Sequence, residues 1–224
     1  MRTHGSLAIA LVAACAGCTA AGGAATSETP AIANAANAAG YPEGLLVGPF
    51  CSGTLVAPRV ALTAGHCQGL ATNVTAPNAG GETAAVTSSQ TFYGGDAATS
   101  HDVAILFLDP PIELAQYPTL ASAPAAPGTS VVEIGRTDDG QLTSSLWETT
   151  DAVTILGSGS ALGFPYNYEA QPDVSEDGDS GGAVMIAGTH ELVALVDTDT
   201  IEQGISEPEP IDLFASVDQL HDAI

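Results

Sequence analysis

Leu62-Thr63-Ala64-Gly65-His66-Cys67 ends an apolar run and closes on a histidine set between a glycine and a cysteine. On either side lie further short runs rich in Val, Leu, Thr and aromatics: 52–56 and 60–63, then 83–93, 103–108, 130–134, 146–156, 183–186 and 192–196. Clusters of Gly, Pro, Asn and Asp separate them. Many short strands with frequent turn signals predict an all-β protein, built as antiparallel barrels or a sandwich. The Pro- and Ala-rich stretch from Tyr117 to Gly128 divides the strands into two comparable groups, so two small β-barrels with a crossover near 117–130 are expected. Phe214, Val217 and Leu220 recur at three-residue spacing behind Asp212, a candidate N-cap, which predicts an amphipathic C-terminal α-helix over 213–222.

The chain has 224 residues, of which 45% are hydrophobic, enough for a substantial core. Arg2, Arg59 and Arg136 are its only basic residues apart from histidine, against 26 acids, and the net charge is -23. Such a surface repels nucleic acid and anionic lipid. At the N-terminus a basic start, a short apolar stretch from Leu7 to Ala14 and small residues follow one another in the order of an export signal over 1–18. The small residues before Cys15 and Cys18 also resemble a bacterial lipoprotein cleavage site. Lipidation of either cysteine would tether the protein to a membrane without spanning it; simple secretion is the other reading. Residues 19–40, mostly Ala, Gly, Thr, Ser and Asn, read as a flexible linker to a domain over 41–224. An extracellular or cell-envelope location and a monomer are expected.

Serine is a weak nucleophile until a base accepts its proton, and that base needs an acid to fix its tautomer. Three motifs supply such groups: the one around His66, then His101-Asp102-Val103-Ala104-Ile105-Leu106, then Gly178-Asp179-Ser180-Gly181-Gly182. Together, and in the order His, Asp, Ser, they closely resemble the motifs of the trypsin/chymotrypsin family of serine proteases; unrelated hydrolases carry the same residues in other orders. The resemblance runs from about Leu45 to the C-terminus and is thin between the motifs. It implies His66 as general base, Asp102 as its orienting carboxylate, Ser180 as nucleophile, and the backbone N–H groups of Gly178 and Ser180 as the oxyanion hole. It also implies a disulfide between Cys51 and Cys67 beside the histidine, in keeping with export. No cofactor and no metal site is expected, and the implied partner is a peptide or protein substrate. His101 should point away from the site, as strand neighbours face opposite sides. The acidic pairs Asp138-Asp139 and Asp197-Thr198-Asp199 read as solvated loops.

The family pattern fails in three places. Before Cys51 there is no Ile-Val-Gly-Gly-type segment whose freed ammonium would pair with Asp179, and an unpaired buried carboxylate is costly. Arg136 is the cation expected to pair with Asp179 instead. Six residues before Ser180, at the usual base of the specificity pocket, stands Val174 rather than an acid. An apolar or small side chain before the scissile bond is therefore expected, not Lys or Arg. The family's Ser-Trp-Gly substrate strand is replaced by residues around Val196-Asp197-Thr198. These features lead to a serine endopeptidase; the alternatives are a protease-like binding protein without catalysis, or an esterase using the same triad.

Overall fold

The structure is a computed structural model that describes residues 35–220. A two-residue strand, β1 (Ala36–Asn37), precedes a closed barrel of six strands: β2 (Gly44–Val47), β3 (Cys51–Ala57), β4 (Val60–Ala64), β5 (Asn73–Ala76), β6 (Glu82–Thr91) and β7 (Val103–Asp109). Its order is β2-β3-β4-β7-β6-β5, closed by the pairing of β5 with β2. A short strand, β8 (Thr119–Leu120), lies on the crossover and runs parallel to the second barrel at Glu191 and Leu192.

The second half forms β9 (Ser130–Asp138), β10 (Gln141–Glu148), β11 (Val153–Ser158), β12 (Asn167–Gln171), β13 (Ala183–Ile186), β14 (Glu191–Asp199) and β15 (Asp212–Ser216). Six of these close a second barrel in the order β9-β11-β12-β15-β14-β13, with β13 returning to β9; β10 and β1 extend the sheet beyond β9. The expectation of two antiparallel barrels is met.

Strands β4 and β7 show why their sequences are nearly continuous in apolar residues. Ala61, Leu106 and Leu108 face into the first barrel, while Leu62, Val103 and Ile105 face the second. The outward set packs with Ile134, Met185, Leu195 and Val217, so the two barrels are joined by an apolar interface. A fully buried Leu or Ile contributes about 1.5–3 kcal/mol relative to an exposed one. This interface holds the two halves of the candidate site in register.

Several expectations are corrected. The segment predicted as a C-terminal helix over 213–222 is instead the strand β15 across Leu213–Ser216, followed by a 3-10 turn at Asp218–Leu220. All five β15 residues are buried between β12 and β14, which removes the alternation that marks a half-exposed strand, and the spacing of Phe214 and Val217 then mimics a helix. The run 146–156 is split between β10 and β11 by a turn. The linker expected over 19–40 ends early: Ala36 and Asn37 pair with Glu148 and Trp147, the Ala38 N–H donates to the Leu146 carbonyl, and Ala38 is fully buried. Small side chains suit that sheet edge as well as they suit coil. The export signal, Cys15, Cys18 and residues up to 34 lie outside the described residues.

Candidate active site

His66 begins where β4 ends, in a 3-10 turn over Gly65–Leu70. The turn packs tightly against the approach to β7: a Cβ on Gly65 would lie 2.7 Å from the Asp102 Oδ1 and 2.3 Å from the Tyr93 Cβ. That closeness lets the His66 backbone N–H donate to Asp102 Oδ1 at 2.8 Å while His66 Nδ1 meets Asp102 Oδ2 at 2.6 Å. Asp102 is fully buried, whereas the His66 side chain is 37% exposed and opens on a cleft. The Cys51–Cys67 disulfide clamps the residue after His66 to the start of β3, as the resemblance implied.

Ser180 comes from the other barrel, in the turn between Glu176 and β13. Its carbonyl accepts the Ser52 N–H at 2.9 Å, and the Ser52 hydroxyl donates to the Gly178 carbonyl, also at 2.9 Å. The serine turn is thereby fastened to β3, next to the disulfide. Gly178 has φ +115°, a conformation closed to ordinary L residues, and a Cβ there would lie 2.2 Å from the Leu142 side chain. Among the described residues, neither the Gly178 nor the Ser180 N–H donates a hydrogen bond. His66, Asp102 and Ser180 line one cleft of about 380 Å³, whose rim carries the exposed carboxylates Asp96, Asp177 and Glu202.

The electrostatics separate the carboxyls. Burial opposes ionisation of Asp102, but the hydrogen bonds from His66, with a smaller effect of the neighbouring Asp197, outweigh it and hold Asp102 below the usual aspartate value. For His66, burial alone would lower the pKa; the bond to Asp102 and the charges of Asp102 and Glu202 more than reverse this, and the imidazole is raised above 6.5. His101, as expected, faces away: Nε2 lies 2.6 Å from the Ser216 carbonyl of the second barrel and the ring stacks on Tyr166. Burial lowers its pKa, so it serves as a neutral tie between barrels.

Two expected roles are not borne out by the geometry. No Arg136–Asp179 salt bridge forms. The Arg136 guanidinium donates to the carbonyls of Thr143, Gly48 and Cys51, while Asp179 Oδ1 accepts the Thr137 N–H at 2.8 Å and Oδ2 the Glu176 N–H at 3.2 Å. Alternation along β9 explains this: Gly135 lies on Asp179, so the side chain of Arg136 points to the opposite face. Without a cation, burial raises the Asp179 carboxyl to about 7, against the pull of those backbone donors. Val174 does not line the depression beside Ser180. Its side chain joins the second barrel's core and its N–H donates to Asp212 Oδ2 at 2.9 Å. Ser175, Asp177, Asp199 and Glu202 line that depression instead.

Several buried acids escaped the sequence reading, Asp197 and Glu133 among them. Asp197 is no solvated loop residue: it sits on β14, is 4% exposed, and bears on Asp102. The signal was present, since the apolar run 192–196 continues into Asp197 without a turn residue. Glu133, on β9, is fully buried with both carboxylate oxygens unpartnered among the described residues, and burial followed by the charges of Asp212, Asp179 and Asp173 pushes it well above the carboxylate range.

Two closed six-stranded barrels, with a His–Asp pair on one and a serine turn from the other in a shared cleft, define a chymotrypsin-like architecture. The family model described as Trypsin matches residues 22–224, and the chain belongs to that family. Among solved structures, human heparin binding protein is similar at TM-score 0.66 and 17% identity, over 85% of this chain and 93% of that one. A double mutant of the same human protein gives TM-score 0.67 and 17% identity over 84% and 92%. An atomic-resolution structure titled HBP gives 0.66 and 18% over 85% and 93%. At these identities the likeness is one of fold. No curated protein sequence matches the chain.

Proposed function

We propose that this protein is a serine endopeptidase in which Ser180, His66 and Asp102 act as nucleophile, base and orienting acid. The observation that carries the reading is the 2.6 Å His66–Asp102 hydrogen bond, with the acid fully buried and the imidazole opening on the cleft that Ser180 lines. Ser180 Oγ attacks the scissile carbonyl as His66 Nε2 takes its proton. The oxyanion that forms is received by the Gly178 and Ser180 N–H groups, and losing one such donor typically costs about 3–4 kcal/mol of transition-state stabilisation. His66 then delivers the proton to the leaving amine, leaving an acyl-enzyme, and the same base activates water to release the acid and regenerate Ser180.

The substrate preference read from Val174 is revised, because that side chain is in the core. Asp96, Asp177 and Glu202 around the cleft favour a segment carrying cationic side chains near the scissile bond. The heparin binding named for the similar structures does not carry over, since a polyanion is repelled by a chain of net charge -23. The disulfide supports an exported enzyme, with residues 1–18 as its signal and a lipid anchor at Cys15 or Cys18 where the cleavage is of the lipoprotein kind.

Labelling of the purified protein with a fluorophosphonate probe tests the assignment. Wild type should label, and Ser180→Ala and His66→Ala should not; a folded wild type that fails to label would favour the binding-protein reading. Side-by-side cleavage of peptide and ester substrates separates the peptidase from the esterase.

A further inference from the structure

Behind the His66–Asp102 pair lies a second carboxyl. A ring nitrogen of His66 and one oxygen each from Asp102 and Asp197 all fall within 4.8 Å of one another. Asp197 Oδ2 accepts a hydrogen bond from Asn167 Nδ2 at 2.6 Å, and Asn167 is itself only 2% exposed. Three buried polar side chains from β12, β14 and the approach to β7 thus form a line that ends at the imidazole: Asn167, Asp197, Asp102, His66.

Two carboxyls with oxygens within 4.8 Å of each other and out of water do not both stay ionised; one keeps a proton and gives it to the other as a hydrogen bond. The donors decide which. Asp102 receives two from His66, the backbone N–H at 2.8 Å and the ring Nδ1 at 2.6 Å, and these favour its anion. Asp197 receives one amide N–H, and one of its oxygens lies within 4.8 Å of an Asp102 oxygen.

We propose that Asp197 is a positioning residue that stays protonated and donates its carboxyl proton to Asp102, orienting from behind the carboxylate that orients His66. The inference rests on the proposed peptidase for its kinetic consequence, and on the closeness and burial of the two carboxyls for the proton's location. Burial, and then Asp102, push the Asp197 carboxyl well above the ordinary aspartate range, in the same sense. The other groups facing it are Tyr93 across the cleft, and Asp177 and Glu202 from the second barrel. Among them, Glu202 disfavours its ionisation further. At high pH Asp197 loses its proton, a second negative charge stands against Asp102, and the line is broken.

Asn at 197 keeps both bonds, since its amide N–H donates to Asp102 and its oxygen accepts from Asn167; Ala keeps neither. Fluorophosphonate labelling at pH 7 should slow at least about tenfold in Asp197→Ala, the loss of one hydrogen bond to a charged group. It should stay within about threefold of wild type in Asp197→Asn, whose rate should also lack the alkaline decline of wild type. Equal slowing by Asn and Ala, or superimposable alkaline limbs for wild type and Asp197→Asn, overturns the proposal. The infrared difference spectrum of wild type minus Asp197→Asn at pH 7 reads the proton without needing activity. A protonated-carboxyl carbonyl band is expected in it, and only an ionised-carboxylate difference overturns the proposal. If Asp197→Ala does not fold, this spectrum and the Asn variant still decide. If wild type does not label at all, the peptidase reading fails while the spectrum still decides Asp197.

Discussion

Gly135 lies against the carboxylate of Asp179 so closely that a methyl group on it would sit 2.1 Å from Oδ1. Asp179 in turn holds the turn that carries Ser180, by accepting the N–H groups of Thr137 and Glu176. Gly135→Ala must therefore displace Asp179, and overpacking of this kind costs about 1–3 kcal/mol. The variant should melt lower than wild type and label with fluorophosphonate more than tenfold more slowly. Wild-type labelling in Gly135→Ala would show that the serine turn does not depend on this contact.

The pH dependence of catalysis follows from His66. The imidazole must be neutral to accept the Ser180 proton, and its pKa lies above 6.5 because the Asp102 bond and the charges of Asp102 and Glu202 outweigh burial. Activity should be lost as pH falls through that raised value, so the acid limb of kcat/KM should be centred above 6.5. Glu202→Gln removes one of the charges and should move the limb to lower pH. A limb centred well below 6.5 in wild type would be incompatible with this environment.

The second barrel should make the protein more stable in mild acid than in mild base. A carboxyl whose folded pKa lies above its unfolded value holds its proton more tightly when folded, so its contribution is fully present below the unfolded value and is lost as pH rises through the folded one. Asp179, raised from 3.8 to about 7, sets a window between those values, and Glu133 is shifted in the same direction. Glu133→Leu removes two unpartnered buried oxygens and should gain about 2 kcal/mol at pH 8. The gap between thermal melts at pH 5 and pH 8 should narrow in that variant, with the Asp179 share remaining; an unaltered gap would show that Glu133 does not contribute to it.

Charge at the cleft rim sets a preference and a salt dependence. Peptides with Lys or Arg next to the scissile bond should be cut at least several-fold faster than their Leu counterparts at low ionic strength. The advantage should shrink towards 0.5 M salt, where the screening length falls to a few ångströms. Asp177→Asn with Glu202→Gln should reduce it as well. Preference for Leu in wild type would return the specificity to the apolar reading first drawn from Val174.

Local motifs were legible because their chemistry is carried by adjacent residues. The three segments around His66, Asp102 and Ser180, and the strands flanking them, fall where their sequences predicted. Strand β15 was not legible, because burial on both faces erased the period of two that exposes a strand to inspection. Arg136 was expected to pair with Asp179, yet the alternation of β9 turns it the other way and gives it three backbone carbonyls.

By itself the sequence determined the two groups of strands, the glycine that a turn at residue 178 requires, and the identities and order of the reactive side chains, all properties of short segments. Tertiary structure alone decided which side chains share a proton or a pocket. Asp197 and Asp102 are far apart in the chain and meet only because the barrels pack through Leu62, Val103 and Ile105. Val174 loses its place beside Ser180 because the core of the second barrel takes its side chain. Such assignments depend on distance and on exclusion of water, and both come into being only when the two barrels close and pack.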